Sequence, residues 1–343
     1  MFKKTLIVIL GIILSSCAQR IYKVAYPTLS DGKYDTEFPY KNCASQLEDI
    51  SNSVKLLNCM VFYKTYVFDE NKQIIANEID EAIKKNLFAE EFYGHQPVSG
   101  TATIIADAYN KVILLTCAHI LDFPDTIYTF YEKDNEHKDV VQSISIREEM
   151  EIYVNDIPNG DKLEILAIDT EYDLAILGLD KGNSHEFVSI FDYPKGKSKE
   201  LEWGSFVYII GYPIGNKMIT RGIVSNPEET KSGTFLIDAL FNKGFSGGLV
   251  LAIRDGVPNF ELVGLARSVS AQYNYILVPA KERHEYTYNP KIPYRDEAFV
   301  MQKEEINYGI THAITVEEIV KFIEKNQSDL MKKGYDLSKF LDQ

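Results

Sequence analysis

Many short apolar, β-branched runs, each closed by turn residues, constrain this chain more than any other feature. They begin at Gly100–Ile105 and Val112–Thr116 and continue through Glu149–Val154, Leu163–Ile168 and Leu174–Leu179. Phe206–Ile210, Ile219–Ser225, Thr234–Ala239, Leu249–Ile253 and Leu262–Ala266 follow. Asp107-Ala108-Tyr109-Asn110 between the first two reads as a hairpin turn, and Arg254-Asp255-Gly256 marks another turn. Strands in such number and so short favour an antiparallel sandwich or barrel over a parallel sheet. The polar stretch from Lys181 to Glu200 falls midway and reads as a linker between two β units.

Helical spacing is confined to the flanks. Leu47, Ile50, Val54 and Leu57 predict one amphipathic helix over Ser45–Leu57, and a second is expected over Glu78–Phe92. Val316, Ile319, Val320 and Ile323 place a closing helix over Thr315–Asn326. Ile21 to Asn42 has no helical period and many polar residues, so it reads as a tether.

The 343 residues are 45% hydrophobic and 25% charged, ordinary values for a globular chain. With 36 basic and 50 acidic side chains the formal net charge is −14. Such a surface repels phosphate backbones, so nucleic acid is not an expected partner.

Lys3 and Lys4 precede an apolar run, Leu6 to Leu14, that is too short to span a bilayer and reads as a secretory signal. Leu14-Ser15-Ser16-Cys17 resembles the lipobox of bacterial lipoproteins. In that reading residues 1–16 are removed and Cys17 carries the lipid. An ordinary signal peptide with an incidental cysteine is the alternative. Export permits disulfides. A Cys43–Cys59 bridge and two separately buried thiols both remain open, whereas Cys117, in an apolar run, reads as a small core residue.

Three short motifs carry chemistry: Thr116-Cys117-Ala118-His119 after a strand, Tyr172-Asp173-Leu174-Ala175 opening another, and Gly244-Phe245-Ser246-Gly247-Gly248 between strands. Together, in this order, they resemble the chymotrypsin-like serine peptidases. Gly211-Tyr212-Pro213-Ile214-Gly215, Arg221-Gly222-Ile223-Val224-Ser225, Ile237-Asp238-Ala239 and Val263-Gly264-Leu265 extend the likeness to the HtrA (DegP-type) branch. The residues after Ile314 are too few for the PDZ domain that many HtrA proteases carry. The resemblance implies a mainly β protein of two six-stranded antiparallel β-barrels with a few flanking helices. It places a lipidated tether and helix at 17–57 and the peptidase domain at 58–314. Barrel one is expected at about 58–180, barrel two at about 200–314, and the closing helix at 315–343.

The resemblance also assigns roles. Ser246 is the nucleophile, a hydroxyl that is weak at neutral pH without an adjacent base. His119 is that base, and imidazole titrates near neutral pH. Asp173 holds the imidazole in the useful tautomer. The N–H groups of Gly244 and Ser246 form the oxyanion hole, and Leu240, Gly264, Leu265 and Ala266 line the substrate pocket, with Leu240 at its apolar floor.

Phe245 departs from the pattern, standing where many relatives carry Asp or Asn. It therefore cannot pair with a newly cut N-terminus, and it raises a second expectation, a weak or inactive pseudo-peptidase that binds peptides or a partner protein. Ala271 to Asn307 is long and polar, a candidate lid or partner surface. An esterase using the same residues is disfavoured, because His and Asp precede Ser here, opposite to the hydrolase order. His95, His137, His185, His284 and His312 lack comparable contexts, and no His-x-x-x-His or Cys-x-x-Cys spacing calls for a metal or other cofactor. The expectation is a serine endopeptidase, lipid-anchored at a membrane of the bacterial cell envelope, with peptide or protein substrates.

Overall fold

Strand pairing in the computed structural model starts from the predicted hairpin. The structure describes residues 30–39, 41–131, 139–157, 163–184, 186–227, 233–240, 242–279 and 298–343. β1 (Val54–Val67), β2 (Glu90–Ala108) and β3 (Lys111–Thr116) form an antiparallel meander. Tyr109 and Asn110, both left-handed at φ +53° and +64°, make the two-residue turn between β2 and β3. Paired positive φ values match the twist of the flanking strands. β4 (Thr126–Phe130), β5 (Val141–Val154), β6 (Glu164–Asp169) and β7 (Leu174–Asp180) complete a seven-stranded sheet ordered β4-β5-β1-β2-β3-β7-β6.

The second unit is a closed barrel, β10-β13-β12-β11-β8-β9. It is built from β8 (Phe206–Gly211), β9 (Met218–Asn226), β10 (Thr234–Ala239), β11 (Leu249–Ile253), β12 (Phe260–Pro279) and β13 (Ala298–Thr315). Val207, Ile209, Val224, Phe235, Ile237, Val250 and Val263 fill it. The architecture is mainly β and chymotrypsin-like. One detail differs from the expected pair of closed barrels. The first sheet curls until the Leu163 amide, just ahead of β6, reaches the Ile152 carbonyl on β5 at 2.7 Å, the one closing hydrogen bond among the described residues where a ladder would close the ring. β4 pairs with the other half of β5, Val141–Ile146, and leaves that edge open.

Helices are few, and the first two are shorter than their spacing predicts. α1 (Ala44–Ser53) stops before Val54, because Val54 already pairs with Thr103 on β2. α2 covers only Ile79–Lys84; Asn86 is left-handed at φ +54°, and Glu90 begins β2 opposite Val67. α3 (Val316–Lys332) is longer than expected and is capped by the Thr315 hydroxyl, which accepts from the Glu318 amide. A short α4 (Ser338–Asp342) follows and buries Phe340. No helix among the described residues is long and apolar enough to cross a membrane.

The expected tether is docked over its described part. Tyr34 and Asp35 are buried on the closed barrel. The Tyr34 hydroxyl donates to Glu261 Oε2 at 2.7 Å and accepts from the Lys197 amide at 2.8 Å, beneath the Arg254 guanidinium. Residues 1–29, with the signal run and Cys17, lie outside the described residues. Cys43, Cys59 and Cys117 are all buried free thiols, so Cys43 and Cys59 are not bridged. The Ala271–Asn307 stretch contributes the long ribbon of β12 and β13, with its tip, residues 280–297, outside the described residues.

Candidate active site

Where β3 ends, the chain turns the histidine out of the sheet. Thr116 is the last β3 residue, paired with Ala175 of β7, and Ala118–Ile120 form one 3-10 turn. Ala118 and Ile120 are buried, which leaves His119 with a side chain 44% exposed. Asp173 stands immediately before β7 at φ +60°, a region that Asp tolerates better than most residues. The preceding turn is shaped by Asp169, whose Oδ1 accepts from the amides of Glu171 and Tyr172.

The Asp173 carboxylate is only 6% exposed, so it needs strong donors. Its Oδ1 accepts from the His119 amide at 2.8 Å, and its Oδ2 lies 2.8 Å from His119 Nδ1. A third donor comes from the closed barrel: Arg267 Nε donates to the same Oδ2 at 3.1 Å. Asp173 thus holds both the backbone and the ring of His119, with Nδ1 on the carboxylate side.

Ser246 lies on the loop between β10 and β11, clamped by the first sheet. The Thr101 amide donates to the Ser246 carbonyl at 2.8 Å, and the Thr101 hydroxyl donates to the Gly244 carbonyl at 2.6 Å. Two glycines are required by close approach. A Cβ on Gly244 (φ +104°) would stand 2.4 Å from the Tyr212 carbonyl oxygen, and one on Gly247 (φ +85°) 2.0 Å from that of Thr101. The amides of Phe245, Gly247 and Gly248 are bonded to Asn242, Ala266 and Phe245 carbonyls. Those of Gly244 and Ser246 have no partner among the described residues. Phe245 itself is 1% exposed inside the closed barrel, so its side chain does not occupy the loop's outer face.

The Ser246 hydroxyl donates to the Arg267 carbonyl at 2.8 Å. Arg267 therefore touches Ser246 through its backbone and Asp173 through its side chain. Thr101, a buried threonine in an apolar run, carries no local signal in the sequence, and nothing local ties Arg267 to Asp173 or Ser246. An open cavity of about 260 Å³ beside this cluster is lined by Ala118, His119, Asp122, Thr170, Asp173 and Arg267.

The expected pocket residues are placed differently. Leu240, just past β10, is 70% exposed and so does not form a closed apolar floor. Leu265 and Ala266 are fully buried. The Ala266 amide and carbonyl are both used by the serine loop, through Gly248 and Gly247, and Gly264 approaches the Ile314 backbone. Residues 264–266 thus brace the loop from behind.

Cys117, His119 and Asp173 hold possible metal-ligand atoms within 4.8 Å of one another. Burial pushes the Cys117 thiol well above its usual range, and it donates to the Ala266 carbonyl. The Asp173 carboxylate is already engaged by the His119 amide, the His119 ring and Arg267 Nε. This set suits a protonated core thiol beside an ion-paired carboxylate better than a metal centre.

Residues 100–265 match the family model of the trypsin-like peptidase domain. This part of the chain is a trypsin-like peptidase domain. The match begins at the strand that clamps the serine loop and ends on the strand that braces it. A protein named "Serine protease HtrA-like" from Staphylococcus haemolyticus (strain JCSC1435) is 30% identical over 102 residues, covering 22% of this chain and 16% of that protein. The chain thus matches only a small part of that relative's length.

Proposed function

We propose that the protein is a serine endopeptidase in which Ser246 attacks the scissile carbonyl, His119 takes its proton, and Asp173 orients and stabilises the imidazole. The observation that carries this reading is the doubly held His119, with amide and Nδ1 both on Asp173. With Nδ1 on the carboxylate, Nε2 is the nitrogen left to accept a proton. The unpartnered amides of Gly244 and Ser246 supply donors for the oxygen that becomes negative as the acyl-enzyme forms. The His119 ring then returns the proton to the leaving amine, and water releases the acyl group by the same route. The trypsin-like domain match and the HtrA-like relative favour the same chemistry.

One observation favours a second reading, a pseudo-peptidase that binds peptides without cleaving them. The Ser246 hydroxyl donates to the Arg267 carbonyl, so its proton is not directed at His119. Hydrolysis of a fluorogenic peptide library by wild type, His119→Ala and Ser246→Ala decides between them. The endopeptidase reading expects turnover by wild type and its near-complete loss in both folded variants. Absence of turnover by folded wild type sinks it.

The lipobox-like Leu14-Ser15-Ser16-Cys17 supports placement at the bacterial envelope, with Cys17 as the lipid-bearing N-terminus and the catalytic domain held near the membrane.

A further inference from the structure

Arg267 uses only part of its guanidinium. Nε is committed to Asp173 at 3.1 Å, and among the described residues neither Nη1 nor Nη2 has a partner. The side chain is one-third exposed and lines the roughly 260 Å³ cavity on the side of His119 where Asp122 and Thr170 also stand. Ser246 does not line that cavity, so its contents sit one step aside from the scissile carbonyl. A guanidinium whose Nη edge is free offers parallel N–H donors that match the two oxygens of a carboxylate.

We propose that Arg267 selects substrates with an Asp or Glu side chain neighbouring the scissile residue, by presenting its free Nη edge to that carboxylate in the cavity beside His119. This deepens the endopeptidase reading and rests on it. Asp173 is no obstacle, because its charge is offset by Arg267 Nε. Asp122 is exposed at the cavity's rim, where water screens it. Charge-assisted, two-pronged contacts of this kind are strong enough for about tenfold discrimination or more.

The test uses matched peptides, taken from a library digest, that carry Glu or Gln at either neighbour of the scissile residue. Wild type is expected to favour Glu at one of these positions by about tenfold or more in kcat/KM. Arg267→Gln reduces that ratio to about one, while its lost contact with Asp173 slows both substrates alike and cancels from the ratio. Arg267→Lys, which keeps the charge without the fork, gives an intermediate ratio and serves if Arg267→Gln does not fold. A wild-type ratio of one or less, or a ratio unchanged in both variants, overturns the proposal. If no peptide is cleaved, the endopeptidase reading fails separately, and fluorescence anisotropy with the same peptides, dye-labelled, still decides. Tighter binding of Glu than of Gln peptides to wild type, lost in Arg267→Gln, supports the carboxylate site; equal binding overturns it.

Discussion

Asp173 grips His119 twice, through the histidine amide on Oδ1 and through Nδ1 near Oδ2, both at 2.8 Å. The pair joins two strand ends that sequence separates by more than fifty residues. An amide in place of the carboxylate can accept only on one side. Asp173→Asn should therefore leave the ring in the wrong tautomer and lower kcat by about 10⁴-fold. Steady-state rates, with circular dichroism to confirm folding, check this; a loss below tenfold would show that the carboxylate does not orient the base.

Gly244 is fixed by geometry rather than by flexibility alone. Gly244→Ala places a methyl 2.4 Å from the Tyr212 carbonyl at a φ of +104°, so the loop must shift. The shift displaces one of the two free amides, and kcat should fall about 10²–10³-fold. KM measured alongside should change far less, because the amide acts on the charge that develops during reaction.

Most strands were legible because a buried strand needs little but a β-branched apolar run and a turn on either side. β10 and β11 coincide with the predicted Thr234–Ala239 and Leu249–Ile253. Leu57 continues the helical spacing of Leu47, Ile50 and Val54, yet it lies in β1, where it is buried for a different reason. The stretch from Glu90 to Gln96 is mostly exposed and polar, so its strand state comes from pairing with β1 and not from its own composition. The motif residues His119, Asp173, Gly244 and Ser246 could be read from local patterns. The contacts that Arg267 and Thr101 make could not, since their partners lie far along the chain. Docking of Tyr34 was hidden for the same reason: its partners Lys197, Arg254 and Glu261 are more than 150 residues away.

Asp35 gives the fold a pH dependence of its own. Burial is the main cause that raises its carboxyl from 3.8 to about 6, with the Gly256 amide opposing and Glu37 adding to the rise. The folded state thus holds the proton more tightly than the unfolded state. Its contribution is complete below about pH 4 and is lost as pH rises through about 6. The loss is on the order of 2–3 kcal/mol. Asp35→Asn stays neutral, so its melting temperature relative to wild type should climb between pH 4 and 7 and then level off. A gap that is flat across pH 4–8 would contradict the assignment.

The three described cysteines predict indifference to reductant. Cys43, Cys59 and Cys117 are buried free thiols, and burial also raises Cys59 to about 11. Dithiothreitol should leave the melting temperature unchanged; a drop of several degrees would reveal a bridge.

The anchor is tested by lipid incorporation. Wild type produced in a bacterial host with labelled palmitate should carry label and sediment with membranes, and Cys17→Ala should do neither. Equal labelling of both proteins would remove Cys17 from the account.

The most direct test of the central claim is covalent capture of the nucleophile. Folded wild type treated with a fluorophosphonate at neutral pH should gain one adduct, located by peptide mass spectrometry on Ser246, and His119→Ala should react far more slowly. A folded wild type that takes up no adduct, or a Ser246→Ala variant labelled as fast as wild type, would contradict it.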